Sequence, residues 1–121
     1  MALASAAAEN AALNGLAGVG STNVIPYVAL HTATPGTTGT SENPSTGGYI
    51  RQACSWNAAS AGAMTNSTAL TFSTAGSTAV TNIGTWSAST VGTYALGGTL
   101  TSSVTAASIT IASGAISLSA S

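Results

Sequence analysis

At 121 residues the chain has the length of a single domain, enough for a modest core but not for two. Ala, Thr and Ser make up just over half of it, and charged residues only 2 %, where an ordinary globular domain carries about a quarter. With Glu9, Glu42 and Arg51 as its formal charges, it offers neither a basic stripe for nucleic acid nor a polybasic membrane patch.

Mean hydropathy is +0.41 at a net charge of -1, which is not the profile of a disordered chain. A small domain with so little charge lacks the repulsion that keeps soluble proteins apart. Much of this surface is therefore expected to meet other protein; the alternative is a hydroxyl-rich surface, polar without charge. Self-association and contact with other subunits are the partners this implies, with no nucleic acid and no membrane.

Residues 2–14 are rich in Ala, the best helix former, and Leu3, Ala6, Ala7, Leu13 and Leu16 recur near helical spacing. Asn14-Gly15 makes a plausible stop, so a short α-helix is expected. It carries too little apolar surface to stand alone and should dock elsewhere. No basic n-region precedes it and Glu9-Asn10 interrupt its apolar stretch, so secretion is not expected; nor is there a run of ~20 apolar residues. Synthesis in a cytoplasm follows as the expectation.

Beyond Gly20 the texture turns to Val, Ile, Thr and aromatics in short runs broken by Gly, Pro, Asn and Ser. That pattern predicts many short strands. The strongest is 24–32, whose two faces, Tyr27/Ala29/His31 and Val28/Leu30/Thr32, are both largely apolar, as in a strand covered on both sides. Residues 33–48 are turn-formers throughout, too many for a hairpin, and predict an ordered loop with a contact role. Further strands are expected at 49–56, 68–72, 79–86, 93–96, 108–112 and 115–119. In the last two, Ile109/Ile111 and Ile116/Leu118 alternate with Ser and Thr, with Gly114 placed for a turn between them. The expected fold is mainly β, an antiparallel sandwich or jelly-roll-like domain over 21–121, preceded by helix and linker over 1–20.

Chemistry is sparse. The carboxylates are Glu9 and Glu42 and the sole imidazole is His31, so neither an acid–base pair nor a Ser–His–acid triad finds its parts. Cys54 is the only cysteine, which excludes an intrachain disulfide and a Cys-based zinc site. Without any Lys there is no phosphate-binding GxxxxGK[ST] loop. Neither enzyme activity, nor a metal, nor a cofactor is expected. The sequon at Asn66-Ser67-Thr68 is short enough to arise by chance.

Trp56, Trp86, Tyr27, Tyr49 and Tyr94 could form a sugar-binding platform, but an Ala-rich chain needs them in its core; Tyr49, bordering the loop, is the one placed to be an exception. Ice binding would need a flat Thr array, and pieces such as Thr32/Thr34 and Thr99/Thr101 have no repeat to align them. As the only opposite charges in the β region, Glu42 and Arg51 are expected to pair and pin the long loop to the strand starting at Tyr49.

One stretch is more distinctive. It runs Leu30-His31-Thr32, Pro35-Gly36, Gly39, Glu42, Gly47-Gly48-Tyr49 and Arg51-Gln52-Ala53. Trp56-Asn57-Ala58-Ala59, Leu70-Thr71-Phe72, Ile83-Gly84-Thr85-Trp86 and Gly92-Thr93-Tyr94 continue it. This resembles a family of small bacteriophage structural proteins labelled tail-fibre or minor virion proteins. Thr34 and Ser87 stand where those relatives often carry Asp. The resemblance implies a virion component. Capsid decoration as a symmetric oligomer, a trimer in contact with the major capsid protein, suits a single small domain; a tail-fibre or minor tail role is the alternative. A loop presenting Thr34, Pro35, Gly36, Gly39 and Tyr49 is the candidate contact surface.

Overall fold

In a computed structural model, the described residues are Asn14, Gly15, Gly18 and 25–119. The helix expected over 2–14 lies outside them apart from Asn14. What is described is mainly β, with antiparallel sheets and a single short 3₁₀ turn at Thr46–Gly48.

Eight strands are described: β1 (Tyr27–His31), β2 (Gln52–Ala53), β3 (Ala63–Thr65), β4 (Leu70–Ser73), β5 (Val80–Trp86), β6 (Tyr94–Val104), β7 (Ser108–Ile111) and β8 (Ser117–Ser119). They form a four-stranded sheet in the order β2-β1-β5-β6 and two pairs, β3-β8 and β4-β7. The strand expected over 49–56 shrinks to two residues, while that expected over 93–96 runs on to Val104. β3 was not anticipated, because Ala63-Met64-Thr65 is too short and too mixed to show a period.

The chain forms two compact units. The first comprises 25–53 and 71–110 and holds the four-stranded sheet. β1 is its covered strand: Val28, Ala29, Leu30 and His31 are buried, with β5 on one side (Leu30 opposite Ile83) and β2 on part of the other (Val28 opposite Gln52). Phe72, Val80 and Ile83 join this core. Each such side chain contributes about 1.5–3 kcal/mol when fully buried, so a few large residues must do in this chain what many do elsewhere. β4 and β7 keep the period-two pattern, Phe72 and Ile109 buried and Thr71, Ser73, Ser108 and Thr110 exposed.

The β5–β6 ladder slips between Gly84 and Trp86. Thr85, fully buried, fills the gap: its Oγ1 donates to Leu96 O at 2.8 Å and accepts from Leu96 N at 3.2 Å. A hydroxyl thus stands in for the missing backbone partner.

The second unit holds 54–70 and 111–119. Its β3–β8 ladder pairs Met64 with Leu118, both buried along with Trp56 and Ile116. Asn66, fully buried, ties its connections together through Thr68, Ala112 and Ile116.

Candidate functional site

The loop 33–48 is ordered from both ends. At its start the Pro35 carbonyl accepts from Gly39 N and Thr40 N, both at 3.0 Å, closing a tight turn. At its end the chain returns beside β1: Thr32 N donates to Ser41 O at 2.9 Å, Asn43 N donates to Leu30 O at 2.8 Å, and Glu42 stands opposite His31 in an antiparallel bridge. The loop thereby extends the edge that β2 covers only at Tyr27 and Val28.

That return places Glu42 against Arg51. Arg51 Nη2 lies 2.8 Å from Glu42 Oε1 and its Nε donates to Oε2 at 2.9 Å, a bidentate pair with side-chain exposures of 6 % and 26 %. Nη1 turns the other way, donating to Ala88 O at 2.9 Å and Val91 O at 2.7 Å. The guanidinium also sits 3.8 Å above the Trp86 ring centroid, a cation–π contact. One side chain thus holds the loop, the 87–93 connection and the end of β5, which the planar fork of Arg permits and a Lys would not.

Tyr49 completes the clamp from beneath. Its hydroxyl donates to Glu42 Oε2 at 2.9 Å and accepts from Leu30 N at 2.9 Å. Burial, with the Glu42 charge beside it, pushes its pKa far up, so it stays a donor. Burial also pushes the Glu42 carboxyl upward, but the hydrogen bonds from Arg51 and Tyr49 outweigh it and leave the pKa below its ordinary value.

His31 is engaged through both nitrogens. Nδ1 lies 2.9 Å from the Thr40 carbonyl, which can only accept, so Nδ1 carries the hydrogen. Nε2 then accepts from Trp86 Nε1 at 3.4 Å, the two ring planes lying 1° apart. Protonating Nε2 would set N–H against N–H. Burial lowers the His31 pKa, and the opposing pull of the Thr40 carbonyl and Glu42 does not reverse it. The ring is neutral.

Two glycines make this packing possible. A Cβ on Gly39 (φ +77°) would overlap the Trp86 ring and Tyr94, and one on Gly84 would lie 2.6 Å from His31 Nε2. Val91 is strained without such an excuse. Its φ is +56°, a conformation that costs a β-branched residue about 1–3 kcal/mol.

Of the residues expected to form a contact surface, Thr34 and Gly36 are exposed, whereas Pro35, Gly39 and Tyr49 are buried and hold the loop from inside. Tyr49 is thus the correction among the aromatics: it is 5 % exposed, its hydroxyl turned inward to bond both Leu30 and Glu42. Trp56 and Trp86 are buried, and Tyr27 and Tyr94 half-buried. His31 and Trp86 belong to the site although sequence reasoning treated one as a failed catalyst and the other as plain core. Their signal was the company they kept in the motif, not their chemistry.

The arrangement binds itself. Among the described residues every buried side-chain nitrogen or oxygen has a partner, and no three potential metal ligands cluster. The Cys54 thiol, raised to about 11 by burial, is a poor nucleophile. A polar recess lined by Asn43, Thr46, Thr74 and Thr78 is too small for more than a water. The geometry is a fold clamp that fixes a glycine-rich loop as a rigid surface.

The family described as Podophage GP4 fiber I protein gp80 matches residues 3–119, almost the whole chain. The chain belongs to that family. As a member of the gp80 fibre family it is a bacteriophage virion structural protein. Among curated proteins none matches it.

Proposed function

We propose that this gp80-family chain is a structural subunit of the phage tail fibre, acting by assembly with copies of itself and with neighbouring virion proteins rather than by catalysis. One observation carries the reading: the charged groups of the β region are consumed in an internal clamp, Glu42 on Arg51. The surface left over among the described residues is mainly Ser, Thr, Ala and Gly, suited to close contact between subunits because little charge there must be stripped of water. The motif from Leu30 to Ala53 is, in this reading, the part of the sequence that fixes the loop. A sandwich-like packing of the sheets belongs to the same proposal, supported by strands such as β4 and β7 with one buried and one exposed face.

A fibre role is favoured over capsid decoration because the matched family is described by a fibre protein. Neither nucleic acid nor a membrane is a partner in this reading. Gold-labelled antibody against the chain, viewed on intact particles, tests it. Label confined to the tail is expected. Label spread over the head would move the protein to the capsid, and unlabelled particles would overturn a virion role.

A further inference from the structure

The connection between β5 and β6 (87–93) presents Val91 with its backbone held by the clamp and its side chain in solvent. Its side chain is 84 % exposed, yet its backbone is held at φ +56°. Among the described residues the other non-glycine positions with positive φ are Ser41 and Ala61, neither of them β-branched. A single exposed valine is ordinary; one kept in the left-handed region while its methyls touch almost nothing is not. The side chain gains no burial that would offset the strain. The backbone, by contrast, is firmly fixed: Arg51 donates to Ala88 O and Val91 O, Ser87 N to Thr93 O at 3.0 Å, and Thr93 N to Ser87 Oγ at 2.8 Å.

The other exposed large apolar side chain among the described residues is Ile50, 66 % exposed. Both residues are one step from Arg51, Ile50 along the chain and Val91 through a hydrogen bond. The clamp that rigidifies the loop therefore also sets the position of the two groups most costly to leave in water.

We infer that Val91, supported by Ile50, is a contact through which one copy of this chain seats on another. This rests on the assembly reading above and names its surface. Charge identifies the occupant. A partner of ordinary composition would bring charged side chains against a face with nothing to pair them, and burying an unpaired charge is prohibitive. A second copy brings a face of the same kind, because only 2 % of its residues are charged and the β-region pair is folded inward.

The test uses opposite signs. Val91→Gly relieves the backbone and deletes the methyls, so in the full chain it should raise the melting temperature at low concentration. In sedimentation at high concentration it should weaken self-association at least tenfold. Val91→Asn, which also accepts a positive φ, repeats the measurement independently. Ile50→Ser should weaken association without raising the melting temperature. The inference is overturned if the Val91 variants associate as the parent does, or if the parent stays monomeric at high concentration. Gold labelling separates the two readings. Tail label with unaltered association of Val91→Gly sinks this contact and leaves the fibre role, whereas Val91-dependent association of a chain missing from the tail does the reverse.

Discussion

Two connections in this molecule are pinned by one buried polar side chain each, and they use opposite chemistry. In the unit carrying β3 and β8, Asn66 donates from Nδ2 to Thr68 O at 2.7 Å and Ala112 O at 3.1 Å and accepts at Oδ1 from Ile116 N at 2.9 Å, while its own carbonyl accepts from Gly114 N at 2.8 Å. In the unit carrying the four-stranded sheet, Arg51 holds a carboxylate, two carbonyls and an aromatic face. A carboxamide satisfies donors and acceptors together without desolvating a charge, and here it joins two segments, 66–68 and 112–116. The guanidinium gathers three separated segments, at the cost of a charge that must always be matched. One design should therefore ignore pH and salt, and the other should not.

Removing each pin breaks the comparison most severely. Arg51→Met leaves Glu42 without its counter-charge and two carbonyls without donors, and should destabilise by about 3–5 kcal/mol. Adding Glu42→Gln to it should recover part of that loss, because a neutral amide no longer suffers from the missing cation; chemical denaturation of the single and double variants measures the difference. Additive losses would mean the two charges do not depend on each other.

Asn66→Ala should cost somewhat less, about 2–3 kcal/mol, for the stranded Ile116 N–H and the carbonyls of Thr68 and Ala112. Asn66→Asp sharpens the contrast. An aspartate there would face two carbonyl oxygens, so its folded pKa would be raised above the unfolded value. The stability of that variant would be present at low pH and lost as pH rises through the folded pKa, the reverse of the native clamp. A denaturation profile that rose with pH in this variant would show that Asn66 is not held as described.

Much of the clamp was legible because charge is so scarce. With one Arg and one Glu in the β region, composition alone brought Glu42 and Arg51 into one hypothesis, although their bidentate geometry and the link to 87–93 were not readable. Strand existence was legible where apolar residues run together, as in β1, or β-branched ones recur, as in β5. It failed where long-range pairing overrides pattern: the strand expected over 49–56 keeps only Gln52–Ala53, while Tyr49 and Arg51 turn inward to meet Glu42. β6 outran its expected span since Gly97-Gly98 and the following Thr and Ser read as breakers, while their pairing with Ile83 and Gly84 holds them extended. Asn66 passed as an incidental sequon because nothing local marks an asparagine as buried.

Acid should loosen the charged clamp selectively. His31 has a lowered pKa when folded, so below its ordinary value of 6.5 the unfolded chain takes up protons the folded one refuses. Its contribution is complete above that pH and is lost as pH falls. Glu42, also lowered, contributes above its ordinary 4.5 and is lost as pH falls through the folded pKa. Both effects share a sign, His31 acting first. Hydrogen exchange should therefore show the Thr32 and Asn43 amides losing protection between neutral and mildly acid pH, before those of Gly114 and Ile116. His31→Gln, which keeps a donor and an acceptor, should flatten the upper part of the profile. Equal pH response in both regions would contradict a neutral, doubly bonded His31.

Salt should produce the smallest effect. At about 1 M ionic strength the screening length is ~3 Å, short enough to erase an attraction between solvated charges. Arg51, however, is 6 % exposed, and its contacts with Trp86, Ala88 O and Val91 O do not pass through water. Only the Glu42 side, 26 % exposed, is open to ions, so the loss should stay below ~1 kcal/mol. In exchange experiments at low and high salt, Thr32 and Asn43 should change by less than about fivefold, and Gly114 and Ile116 not at all. A loop that opened as readily in salt as in acid would mean that the pair is solvated and that the carbonyl and aromatic contacts of Arg51 hold nothing. The contrast with Asn66 would then reduce to charge alone, and the rigid presentation of Val91 would lose its support.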